Sequence, residues 1–230
     1  MTPLVLLPGM MCDARLFGPQ ITAFSSRFPI HALSIDGADS MSDLAAQALD
    51  KAPDRFALAG LSMGGIVAME MVRQAPERVV KLALMDTNPL AEDESVKLRR
   101  TPQMEKARSG RLAEVMRDEM KPNYLAKGPD RERILDLCMD MALGLGPDVF
   151  IRQSIALRDR PDQTATLRNY SGKALVLCGE HDALCPVSRH LLMHDLLKDS
   201  ELEIVAGAAH LPTLERPEQT TAAMLRWMED

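Results

Sequence analysis

Short apolar runs alternating with helix-like stretches constrain this chain most. Leu4–Leu7 is a continuous apolar run stopped by Pro8-Gly9, and comparable runs recur at 30–36 (IHALSID), 55–60 (RFALAG), 79–86 (VVKLALMD), 173–182 (KALVLCGEHD) and 201–207 (ELEIVAG). Runs this short and this apolar suit strands covered on both faces. Helical patterns lie between them at about 13–27, 40–50, 63–74 and 187–197, and a last one covers 217–228. Ser40 is placed to cap the second helix, with Asp43 in its first turn. Pro76 closes the third, and Pro217 opens the last at a favourable first-turn position. This alternation predicts an α/β fold: a mostly parallel central sheet of about six strands, flanked by helices.

The rhythm breaks once. From about Asn88 to Asn169 the chain is rich in charge and Met, without a convincing strand. Pro and Gly residues at 102, 110, 122, 128–129 and 146–147 are expected to cut this stretch into several helices. We therefore divide the chain into a core, 1–87 and 171–230, and an inserted helical lid, 88–170. An insertion of that length between two strands is usually functional.

Composition narrows the partners. A net charge of -6 and 3% aromatics argue against nucleic acid, which calls for a basic surface and stacking platforms. No apolar run reaches the length of a membrane span. The opening MTPLVLLPGMM lacks a basic region before its apolar residues. The four Cys (12, 138, 178 and 185) form neither a close pair nor a framework, so a reduced, cytoplasmic protein is expected. The expected state is monomer or homodimer.

The chemistry centres on GLSMGG at 60–65. Ser62 falls directly between a strand and a helix, the context in which Gly-x-Ser-x-Gly holds a nucleophile on a sharp turn. Gly60 and Gly64 keep bulk away from that turn. The helix starting near Met63 aims its amides and positive dipole end at the same place. A serine nucleophile needs a base and an orienting acid. Among five His, His210 in the loop GAAHLPTLERPE is the best base. His31 reads as structural and His181 as a neighbour of the site. His190 and His194 share a helix face but lack the Glu of a zinc-protease motif, so no metal is expected. For the acid, Asp182, just past a strand, leads. Asp86 is a rival that would otherwise shape the pocket or anchor the insertion, and Glu180 is third. The oxyanion donors are the backbone amides of Met63 and of Met10, since Pro8 has no N–H. Met10, Met11 and Met63 suggest an apolar, adaptable pocket, with Met11 and Asp86 as pocket residues.

Four stretches in this order, LVLLPGMMCDARLF, LAGLSMGGIVAMEM, LVLCGEHDALCPV and GAAHLPTLERPEQ, resemble the α/β-hydrolase fold family, specifically its carboxylesterase-like members with a helical cap. The resemblance covers nearly the whole chain. It implies Ser62, Asp182 and His210 as the triad, and Met10 and Met63 as oxyanion donors. Two features depart from it: Pro8-Gly9 stands where many relatives carry His-Gly, and the antiparallel edge pair common in the family is not expected in this chain. Ser62 disfavours the members that use an Asp nucleophile. The expected function is a serine hydrolase cleaving an ester of a small or medium hydrophobic small molecule through an acyl-enzyme, without cofactor. The alternatives are a thioester, a lactone or a C–C bond on the same triad, or a non-catalytic ligand binder on the same fold.

Overall fold

The computed structural model describes residues 1–229. Six strands, β1 (Leu4–Leu7), β2 (Ile30–Ala32), β3 (Phe56–Leu61), β4 (Val79–Met85), β5 (Lys173–Gly179) and β6 (Ser200–Val205), form one sheet. Its order is β2-β1-β3-β4-β5-β6, and every pairing is parallel. β1 and β3 are buried along their whole length, so their side chains feed two cores. Val5, Leu7 and Leu58 join the core on one face, and Leu4, Leu6, Ala57 and Ala59 the core on the other. That split is the two-residue period of a strand. β2 ends at Ala32 rather than running to 36. As an edge strand it pairs only with β1, which Pro8-Gly9 stops.

Around the sheet lie α1 (Gly18–Phe24), α2 (Met41–Lys51), α3 (Met63–Gln74) and, after β5, α9 (Val187–Leu196), α10 (Pro212–Glu215) and α11 (Pro217–Glu229). The Ser40 hydroxyl accepts the Asp43 amide at 3.1 Å, capping α2 as its sequence predicts. Between β4 and β5 the chain is helical: α4 (Glu94–Lys106), α5 (Leu112–Glu114), α6 (Arg131–Leu145), α7 (Pro147–Arg158) and α8 (Thr164–Asn169). Gly110 and Gly146, at φ +81° and +84°, break this region as expected. Pro102 does not: it lies inside α4. Pro102 is exposed and Leu98, whose carbonyl loses the i→i−4 bond, is 77% exposed, so water can take the orphaned acceptor. No helix among the described residues is long and apolar enough to cross a membrane.

The strand order reverses next to β1: the chain steps to β2 on one side, then crosses to β3 on the other. The loops leaving β1 and β3 therefore diverge at their carboxyl ends and open a crevice. Ligands of open parallel sheets bind at such a switch point.

Candidate active site

Ser62 stands between β3 and α3 with φ +55° and ψ −118°, a conformation L-residues avoid. Its surroundings hold it there. The Ser62 amide donates to Met85 O at 2.9 Å, and Thr87 Oγ1 donates to Ser62 O at 2.7 Å. The glycines work by close backbone approach. A Cβ on Gly60 would lie 2.3 Å from Gly64 O, and one on Gly64 only 2.1 Å from Leu7 O, so Gly64 is where the Ser62 turn meets the loop after β1. Gly64→Ala is expected to cost about 1–3 kcal/mol, the usual penalty for overpacking, and to lower kcat as the two loops separate. Urea unfolding alongside ester turnover checks both effects.

His210 arrives on the loop after β6. Its amide donates to Tyr124 O at 2.9 Å. The Glu215 carboxylate accepts the amides of Ala209 at 3.0 Å and Leu211 at 3.1 Å with one oxygen, and that of Ala126 at 2.8 Å with the other. Glu215 thus fixes the residues on both sides of His210 and ties them to the helical insertion. Charge-assisted bonds of this kind contribute about 1.5–3 kcal/mol each without being additive. Glu215→Ala is expected to lower stability by about 2–3 kcal/mol and to loosen His210, seen as a fall in kcat and in the urea midpoint.

These elements bring three side chains into line. His210 Nε2 lies 3.0 Å from Ser62 Oγ, and His210 Nδ1 lies 2.8 Å from Asp182 Oδ2. Asp182 Oδ1 accepts the amides of Leu184 at 2.8 Å and Cys185 at 3.0 Å. Burial alone would raise the Asp182 pKa, but His210 and these two amides outweigh it and hold the carboxyl below its ordinary value. An ionised Asp182 only accepts, so Nδ1 carries the proton and Nε2 is left to accept from the Ser62 hydroxyl.

A model of the Alpha/beta hydrolase family matches residues 4–223. The chain belongs to that family. It is 25% identical to a pimeloyl-[acyl-carrier protein] methyl ester esterase of Nitrosomonas europaea, over 94% of this chain and 91% of that protein. It is 24% identical to the biotin biosynthesis bifunctional protein BioHC of Cellvibrio japonicus, over 98% of this chain but only 47% of that longer protein. A malate-bound thermophilic esterase from Thermogutta terrifontis superposes with a TM-score of 0.90 at 25% identity, covering 100% of this chain and 90% of the other.

In this α/β-hydrolase a cavity of about 560 Å³ opens over Ser62 and His210. Gly9, Met10, Ser62 and His210 line it from the core, and Leu90, Arg100 and Leu157 from the insertion side. Among the described residues no turn, cap or side-chain acceptor takes the amide of Met10 or Met63.

Two residues assigned to the pocket from sequence do not line it. Met11, 1% exposed and at φ +56°, sits in the core, its amide donating to Gln153 Oε1 at 2.8 Å. Asp86 is fully buried at the end of β4. One carboxyl oxygen accepts the Gly179 amide at 2.9 Å, and the other has no hydrogen-bond partner. Burial, and then the charge of Asp182, push its pKa well above the ordinary carboxyl range. Both effects favour the protonated form of Asp86 beside Asp182. Glu180 is exposed and accepts the Gly207 amide.

The other histidines are engaged elsewhere. His190 Nε2 accepts the Thr87 amide at 3.1 Å, and burial lowers its pKa to about 4. His194 Nδ1 lies 2.7 Å from Ser200 Oγ, His31 lies in β2, and His181 is exposed. Donor atoms of Asp182, Cys185 and His210 lie within 4.8 Å of one another, the spacing of a metal site. However, the His210 and Asp182 donors already bond each other, and burial pushes the Cys185 thiol up, away from the thiolate a metal needs.

Proposed function

We propose that this chain is a serine esterase with Ser62 as nucleophile, His210 as base and then acid, and Asp182 as the group that orients and charge-balances the imidazole. The observation that carries this reading is the unbroken Ser62–His210–Asp182 hydrogen-bond line, whose Ser62 and His210 ends line the cavity while Asp182 is buried behind them. His210 takes the Ser62 proton as Oγ attacks the ester carbonyl. The amides of Met10 and Met63 stabilise the oxyanion, and the leaving alcohol takes the proton back from His210. Water, activated by His210, then releases the acid and restores Ser62. The helices of 88–170 act as the lid that shapes the cavity and limits water. A cavity of about 560 Å³ suits a small or medium substrate. The methyl-ester activity named for the Nitrosomonas europaea relative supports a small leaving alcohol. Four free cysteines support a reducing, cytoplasmic setting.

Labelling with a fluorophosphonate, together with turnover of p-nitrophenyl and methyl esters of increasing acyl length, tests this. Stoichiometric labelling that ester substrate prevents is the expected result. Neither labelling nor turnover on any ester would remove the esterase and leave the ligand binder.

A further inference from the structure

One buried group on the cavity wall has no part in the acyl-transfer chemistry. Arg100 of α4 and Arg160, just after α7, both bind the same carboxylate, Glu92. The three side chains are exposed by only 10%, 7% and 4%, and all three line the cavity that contains Ser62 and His210. Guanidinium groups stay protonated, so two arginines against one carboxylate leave a net charge of +1 out of bulk water. An unmatched buried charge is costly, and a structural ion pair would need only one arginine. The donors are not exhausted within the protein either. Arg160 Nε donates to Leu90 O at 2.9 Å. Arg100 Nη1 finds only Met10 Sδ at 4.0 Å, a weak acceptor.

The other carboxylates on this wall do not supply the missing charge. Glu119 is held by Lys106 at 2.6 Å and Gln103 at 3.1 Å. Asp93 accepts from Ser95 and feels the positive charges of Arg189 and Arg99, which also line the cavity. The cavity is thus electropositive on the side where Arg100 meets Met10, whose amide is one of the two oxyanion donors above.

We propose that Arg100 and Arg160 receive a carboxylate of the substrate, so that the ester this cavity takes is a monoester of a dicarboxylic acid. This rests on the esterase reading of Ser62. A planar guanidinium pair matches a carboxylate in charge and shape. Arg100, Arg160, Met10 and Ser62 line one cavity, so a single diacid chain can present its ester to Ser62 and its free carboxylate to the arginines. Hydrolysis adds water across the ester bond and yields the alcohol and the diacid.

The test compares monomethyl adipate with dimethyl adipate and methyl hexanoate on the native chain, Arg160→Gln and Arg160→Lys. On the native chain kcat/KM is expected to favour the monoester by about tenfold or more, the discrimination available to a site built for a polar group. Arg160→Gln is expected to remove most of that preference and Arg160→Lys to keep part of it. Arg160→Gln leaves Arg100 and Glu92 as a balanced pair, so its urea midpoint should hold or rise, whereas a purely structural arginine would lower it. Glutarate should raise the melting temperature of the native chain and not that of Arg160→Gln. Turnover of the neutral esters without preference for the monoester overturns this proposal and leaves the esterase standing. If no ester is turned over, the esterase reading fails and the glutarate shift alone decides: its presence supports the anion site and its absence overturns it. Should Arg160→Gln not fold, the native preference and glutarate shift decide in the same way.

Discussion

Ser62→Ala is expected to lower kcat on p-nitrophenyl esters by about 10⁴- to 10⁶-fold, the range seen when a triad nucleophile is removed. The oxyanion amides and the cavity remain, so a weak background above water should survive, and adding His210→Ala should change little. Ser62→Gly separates chemistry from strain. It deletes the same hydroxyl, but glycine accepts φ +55° at no steric cost. The stored strain is on the order of 1 kcal/mol or more, so Ser62→Gly should be inactive and yet resist urea better than the native chain. Activity of Ser62→Ala within tenfold of native would remove Ser62 as nucleophile.

That site was largely legible because its parts are local. Ser62 lies in a short Gly-rich turn at the end of a run buried on both faces, and both features are written in adjacent residues. Asp182 and His210 likewise follow strand-like runs directly. What stayed hidden depends on distant pairing or on backbone angles. Glu92 and Arg160 bond across 68 positions, and in sequence they look like members of a solvated, charge-rich segment. Glu215 reaches the Ala126 amide across 89 positions. Met11 reads as an adaptable apolar pocket residue and Asp86 as an acid at a strand end, yet their positive φ values, +56° and +44°, accompany buried side chains that do not line the cavity. Pro102 looked like a helix end because sequence does not tell which side of α4 faces water. Gly65 was unremarkable until the fold set it against Thr87, where a Cβ would lie 2.6 Å from Oγ1.

The two buried acids should respond in opposite ways to the same substitution. Asp182→Asn is expected to cut kcat by about 10⁴-fold, because an amide at Oδ2 favours the His210 tautomer that cannot accept the Ser62 proton. Asp86→Asn should change kcat by less than about tenfold, since Asp86 bonds neither Ser62 nor His210 and asparagine keeps an oxygen for the Gly179 amide. Stability separates them further. The folded-state pKa of Asp86 is raised, so between the unfolded value of about 3.9 and the folded one the native state keeps a proton that the unfolded chain releases. Native stability therefore falls as pH rises through that window. Asparagine escapes this loss, so the advantage of Asp86→Asn should grow from about pH 4 upward, by about 1.4 kcal/mol for each unit of displacement. Asp182 has the opposite sign. Its folded pKa is lowered, so it contributes stability above the unfolded value that is lost as pH falls through the folded one, and Asp182→Asn should be the less stable protein at neutral pH. Urea titrations of both variants at pH 4 and pH 8, beside kcat on one ester, check this. A larger loss of kcat in Asp86→Asn would make Asp86 the orienting acid and reverse the assignment. The two shifts are complementary: a proton is favoured on Asp86, and the negative charge on Asp182, beside His210.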